Sequence, residues 1–123
     1  MIGIMADLSM FSGSAEIRKY PAGHKFFSAG DAGDVMYVVL SGEVEIVIND
    51  KIVETVRSGG IFGEMALIDR RERSASARTK TAAEVAAIDQ EQFISLLATH
   101  PFFSIEVMHM MTERLRLLNQ ALF

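Results

Sequence analysis

The chain has 123 residues, half of them hydrophobic and 23% charged, with a formal net charge of −4 and no cysteine. That length and apolar content fit one compact domain with a real core and exclude a disordered tract. The acidic balance argues against a broad nucleic-acid footprint but leaves room for a local cationic pocket. Without cysteine there are no disulfides, thiolate metal sites or cysteine nucleophiles, which fits a reducing cytoplasm.

Met1 to Ala6 is apolar but lacks a basic leader, and Asp7 soon breaks it, so no signal peptide is expected. No apolar run approaches the roughly 20 residues that span a bilayer. Within residues 1–14, Ile2, Ile4, Met5, Leu8, Met10 and Phe11 have the spacing of a short amphipathic helix, punctuated by Ser12-Gly13-Ser14.

Residues 15–89 read as short strands between turns. Strands are expected over Ala15 to Tyr20 and His24 to Phe27, separated by Pro21-Ala22-Gly23. Ala29-Gly30-Asp31-Ala32-Gly33-Asp34 is a turn cluster whose two glycines can each take a positive φ angle. Val35 to Leu40 is an almost unbroken apolar run, closed by Ser41-Gly42. Glu43 to Ile48 begins with period-two alternation, Asn49-Asp50-Lys51 is a hairpin turn, and Ile52 to Val56 returns as a strand. Ser74 to Thr79 and Ala82 to Ile88 complete the set, and many short strands with glycine turns favour a sandwich or barrel.

The pattern then becomes helical. Asp89-Gln90-Glu91 can cap a helix running to about Ala98, and Pro101 suits the first turn of the next. The last helix carries Phe102, Phe103, Ile105, Val107, Met108, Met111, Leu115, Leu118 and Leu122 as an apolar stripe. Arg114 and Arg116 could stack on a purine, although an exposed charged face with Glu113 is the commoner meaning of such residues.

The stretch with most chemical content is Phe62-Gly63-Glu64-Met65-Ala66-Leu67-Ile68, followed by Arg73-Ser74-Ala75-Ser76. Gly63 lets backbone approach a ligand, and a helical turn started there offers free N–H groups to an anion. Glu64 can accept a sugar hydroxyl, Arg73 can fork onto phosphate oxygens, and Ser74 can donate one more hydrogen bond. Arg70, Arg71 and Glu72 read as solvated loop charges. His24, His100 and His109 form no His-x-His pair and have no acidic partner set, so no metal site is expected.

Together these motifs resemble the cyclic nucleotide-binding domain family, found in cAMP-dependent kinase regulatory subunits, nucleotide-gated channels and bacterial catabolite regulators. The resemblance rests on Pro21-Ala22-Gly23, Ala29 to Asp34, Tyr37-Val38-Val39 through Gly42-Glu43-Val44, Gly60 to Leu67, and Arg73-Ser74-Ala75. It covers nearly the whole chain. It implies a mainly β fold, an eight-stranded antiparallel β-roll of jelly-roll type with a short N-terminal helix, a phosphate-binding cassette helix at about 63–74, and two C-terminal helices over 90–123. The whole of 1–123 would be a single domain.

By the same resemblance Phe62, Gly63, Glu64, Met65, Ala66, Arg73, Ser74 and Ala75 form the ligand site. Glu64 would take the ribose 2′-hydroxyl, Arg73 the cyclic phosphate, and the last helix would act as a lid over the base. cAMP is the expected ligand, with cGMP as the alternative because Ser74 places a hydroxyl just after the arginine. The implied role is a non-catalytic cytoplasmic sensor that binds a small molecule rather than nucleic acid or membrane, with a protein partner or second copy on the C-terminal helix. The rival readings are a ligand-independent interaction domain, a metal-dependent enzyme of the cupin type, and a fragment of a larger receptor such as a channel or transcription factor.

Overall fold

The computed structural model describes residues 16–68 and 72–122. The helix expected within residues 1–14, and the loop residues Arg70 and Arg71, lie outside the described residues.

Among the described residues, eight strands form two antiparallel sheets. The strands are β1 (Glu16–Tyr20), β2 (Lys25–Phe27), β3 (Val35–Ser41), β4 (Val44–Ile48), β5 (Lys51–Val56), β6 (Ile61–Phe62), β7 (Ser76–Thr79) and β8 (Ala83–Asp89). One sheet has the order β1-β8-β3-β6 and the other β2-β7-β4-β5. A four-residue helix, α1 (Met65–Ile68), follows β6, and α2 (Gln90–Thr99) and α3 (Pro101–Leu122) follow β8. This is the β-roll with flanking helices that the motifs implied.

The unbroken apolar run at β3 is explained by its place in the sheet. Met36 and Val38 point to one side of it and pack with Ile61, Ala86 and Ile88 against α2 and α3, through Phe93, Phe103, Val107 and Met110. Val39 points into the roll, where it meets Val44, Val56, Phe62, Ala77 and Val85. A strand covered on both faces has no reason to alternate.

The β4–β5 hairpin turns on two residues, with Asn49 at φ 51° and Asp50 at φ 63°. Positive φ at both positions is what a tight hairpin with right-twisted strands demands, and Asn and Asp tolerate it. Lys51, expected in the turn, is instead the first residue of β5 and pairs with Ile48. β6 was not foreseen as a strand because it has only two residues, buried inside the motif that precedes α1.

Asp89 caps α2. Its side chain accepts from the Gln92 N–H while Gln92 returns a bond to the Asp89 N–H, the reciprocal pattern that satisfies two orphan donors. The apolar stripe foreseen on α3 divides between two surfaces. Phe103, Val107 and Met110 are buried, whereas Phe102, Ile105, Met108 and Leu115 are exposed. Met110 was missing from the expected stripe, and only the first half of α3 anchors in the core. No helix among the described residues is long and apolar enough to cross a membrane.

Candidate functional site

The eight residues singled out in the sequence line one cavity of about 550 Å³. Its floor is Phe62 to Ala66 with Arg73, Ser74 and Ala75. One wall comes from β4 and β5, including Ile46, Ile48, Ile52 and Glu54, and α3 covers it with Met111, Arg114, Leu115 and Leu117. The size suits a nucleotide-sized ligand, and the mixture of apolar wall and few polar groups is typical of small-molecule sites.

Arg73 is 7% exposed. Its Nη1 donates to the Gly63 carbonyl and its Nη2 to the Val35 carbonyl, both at 2.7 Å. Its Nε is buried without any hydrogen-bond partner. The guanidinium lies over the Phe27 ring, with Cζ 4.1 Å from the ring centroid. Among the described residues it makes no ion pair, and burial pulls its pKa below the usual arginine value, with Tyr37, Asp34, Glu64 and Asp31 acting against that shift. A desolvated cation with an orphaned donor and no directly paired carboxylate among the described residues has the chemistry to take an anion.

The turn at 29–34 holds this arginine in place. Gly30 N–H donates to the Arg73 carbonyl and Arg73 N–H to the Asp31 carbonyl, each at 2.8 Å. Gly30 has a positive φ, but Gly33 does not. Gly33 is needed for space, since a Cβ there would sit 2.2 Å from Arg73 Nε. Gly63 has both constraints: its φ is 75°, and a Cβ would meet Arg73 Nη1 at 2.6 Å. Phe27, Tyr37 and Phe62 pack beside it, with Tyr37 and Phe62 stacked at 4.9 Å. Phe27 carries no local motif for a phosphate site, and Gly33 and Tyr37 entered the sequence reading as parts of a turn and a strand rather than as neighbours of Arg73.

Glu64 is 2% exposed. Its Oε1 accepts from Arg114 Nη1 at 2.5 Å. Arg114 also forks onto Glu54, with Nε to Oε1 at 2.8 Å and Nη2 to Oε2 at 3.0 Å, and Nη2 reaches the Ile61 carbonyl. Burial alone would lower the Arg114 pKa, but Glu64 and Glu54 outweigh it and hold it above the usual arginine value. Arg114 is therefore not part of an exposed charged face. Arg116 is, and pairs with Glu113 at 2.8 Å. Glu54 had no sequence signal, because its partner Arg114 is 60 residues away.

Ser74 is exposed at the cavity rim, Ala66 and Ala75 are buried in the floor, and Glu72 is exposed as expected for a loop charge. The cassette helix is limited to Met65–Ile68 within the 63–74 span expected for it. His24 packs against Tyr20 and Phe26 as an aromatic neighbour. Among the described residues no three His, Cys, Asp or Glu side chains gather in a way that could hold a metal.

Comparison with known proteins agrees with this geometry. The family described as "Cyclic nucleotide-binding domain" matches residues 17–100. The chain is similar to a cAMP-dependent protein kinase regulatory subunit of Emericella nidulans, 40% identical over 81 residues, covering 64% of this chain and 20% of that protein. It is also similar to the cyclic AMP receptor protein of Thermus thermophilus, 33% identical over 104 residues, 80% of this chain and 48% of the relative. The solved structure of the Thermus thermophilus catabolite activator protein superposes with a TM-score of 0.76 at 29% identity, over 92% of this chain and 61% of that one. The chain thus spans about half the length of its bacterial relative and a smaller share of the kinase subunit. A match over residues 17–100, a span that includes the residues flooring the cavity, places the protein in the cyclic nucleotide-binding domain family.

Proposed function

We propose that residues 1–123 act as one ligand-sensing unit that binds a cyclic nucleotide, cAMP first and cGMP as the alternative, without catalysing a reaction. The observation that carries this reading is Arg73, a buried guanidinium with an orphaned Nε and, among the described residues, no carboxylate paired to it, on the floor of a nucleotide-sized cavity. A cyclic phosphate supplies the missing negative charge and acceptors. Glu64 then takes the ribose 2′-hydroxyl, Ser74 adds a donor at the rim, and Gly63, Ala66 and Ala75 allow close approach. Phe62 and Met65 complete the floor. The base gains from burial against the apolar β4–β5 wall and under α3, which acts as the lid.

Binding that favours one position of α3 shifts the helix toward it. The relatives named for cAMP support cAMP as the first ligand to test, and Ser74 keeps cGMP in the comparison. The acidic net charge supports a small-molecule ligand rather than nucleic acid, and the lack of cysteine supports a cytoplasmic setting.

Isothermal titration of the purified chain with cAMP and with cGMP tests the reading. Saturable binding with one site is expected. No heat and no thermal shift with either nucleotide overturns it.

A second reading has its own support. Phe102, Ile105, Met108 and Leu115 leave an apolar row exposed on α3, which suits a protein partner or a second copy of the chain. An interaction domain of that kind associates equally well with and without cyclic nucleotide, and sedimentation in both conditions separates the two.

A further inference from the structure

Two carboxylates compete for one guanidinium where α3 crosses the cavity. Arg114 commits Nε and Nη2 to the two oxygens of Glu54 and gives Glu64 only Nη1, on Oε1. Glu64 Oε2 takes no hydrogen bond among the described residues, and Glu64 lines the cavity. The three side chains are only 15%, 11% and 3% exposed for Arg114, Glu54 and Glu64, so water and salt do little to loosen their choice of partner.

We infer that Glu54 is a positioning residue: by taking the forked pair with Arg114 it keeps one oxygen of Glu64 available for a ligand hydroxyl. The inference rests on the cyclic nucleotide reading and adds to it a role for β5. The physical reason is geometric. Arginine and carboxylate prefer two parallel hydrogen bonds, and Arg114 satisfies that preference on Glu54. If Glu54 loses its charge, the only carboxylate still bonded to Arg114 is Glu64. The fork then closes on both Glu64 oxygens, and a ribose 2′-hydroxyl must displace a charge-assisted bond to reach either. The cluster as it stands carries two negative charges and one positive, so it has a surplus lone-pair set to offer a donor.

The test compares cAMP with 2′-deoxy-cAMP by calorimetry on the 123-residue chain and its variants. The wild-type chain is expected to prefer cAMP by about tenfold or more, the worth of one hydrogen bond to a charged acceptor. Glu54→Gln should shrink that preference to about threefold or less. Glu54→Asp keeps the charge and should keep the preference, which separates charge from folding. In the double variant Glu54→Gln with Arg114→Lys, the ammonium cannot fork, and the preference should return.

A Glu54→Gln variant that keeps the wild-type preference overturns the inference. So does one that loses affinity for both nucleotides in equal measure, because that is the signature of a lid or fold defect. If the wild-type chain binds neither nucleotide, the cyclic nucleotide reading falls and this inference falls with it.

Discussion

Replacing Arg73 with alanine separates two quantities that usually move together, ligand affinity and fold stability. In the structure the guanidinium donates to two backbone carbonyls at 2.7 Å and leaves Nε unbonded. A phosphate at this site gains the Nε bond and at least one more from the remaining N–H groups. Hydrogen bonds to charged groups contribute about 1.5–3 kcal/mol each, so two of them amount to about 3–6 kcal/mol. At about 1.4 kcal/mol per factor of ten, Arg73→Ala should weaken cAMP binding by about 10² to 10⁴.

Stability responds differently. The variant exposes the Gly63 and Val35 carbonyls to loss of a partner, at about 1–3 kcal/mol for a buried orphan. It also removes a buried cation whose desolvation costs several kcal/mol and which Asp34, Glu64 and Asp31 offset only in part. The two terms oppose, so the change in unfolding free energy should stay within about 2 kcal/mol. Titration calorimetry gives the first number and urea denaturation without ligand gives the second. Affinity within threefold of wild type would move the phosphate away from Arg73. A variant that loses binding only because it no longer folds would refute the claim that the arginine is held for the ligand.

Three further outcomes follow from the geometry. Gly33→Ala should push the Arg73 side chain out of place, because the new Cβ meets Nε at 2.2 Å; overpacking of this kind costs about 1–3 kcal/mol. Binding should fall at least tenfold by the same titration, although residue 33 does not line the cavity, and an unchanged affinity counts against the argument. Phe103→Ala removes a side chain in the first turn of α3 that is 2% exposed and should cost about 3–5 kcal/mol in urea denaturation. A loss below about 1 kcal/mol would show that the first half of α3 is not an anchor. Tyr37 has its pKa raised above 10.0 by burial, with the Arg73 charge acting in the opposite direction. The folded chain therefore holds this proton at a pH where the unfolded chain has lost it, so the contribution is complete below pH 10 and disappears as pH rises through the folded value. Denaturation between pH 9 and 11 should show a stability decline that is shallower in Tyr37→Phe, and equal slopes would contradict the assignment.

The strands that could be read from sequence were those with a local reason to exist. The β4–β5 hairpin has its two positive-φ residues in the Asn49-Asp50 turn, and Asp89 carries the α2 cap with Gln92 three residues on. The cavity floor was legible because Gly63, Glu64, Ala66, Arg73, Ser74 and Ala75 are close together in the chain. What was hidden depends on distance. Glu54, Glu64 and Arg114 come from β5, the α1 entry and α3, and nothing local in a strand or helix announces a shared guanidinium. Gly33 looked like a turn glycine because turns explain most glycines, whereas its function is to make room for a side chain 40 residues later. The α3 stripe misled because the helix is apolar on two sides, and residue spacing cannot say which side meets the body.

The two halves of α3 are attached by different forces, which matters for how the proposed sensor would respond. Phe103, Val107 and Met110 are almost fully buried, and apolar side chains of this kind contribute about 1.5–3 kcal/mol each. A ligand whose affinity differs between two states by an ordinary 1–3 kcal/mol cannot dislodge that anchor. One turn beyond Met110 the attachment changes to the Arg114 pair with Glu54 and Glu64. There the Coulombic gain is set against the cost of desolvating three charges, and the net is small compared with either term. The ligand proposed for this cavity acts on the same carboxylate, so its binding energy falls on the part of the helix that is most nearly balanced. The hinge of the response should therefore lie between Met110 and Arg114. Hydrogen exchange with and without cAMP should change protection after residue 111 and leave residues 103–110 as they were. Equal changes along the whole helix would mean that α3 moves as one rigid rod.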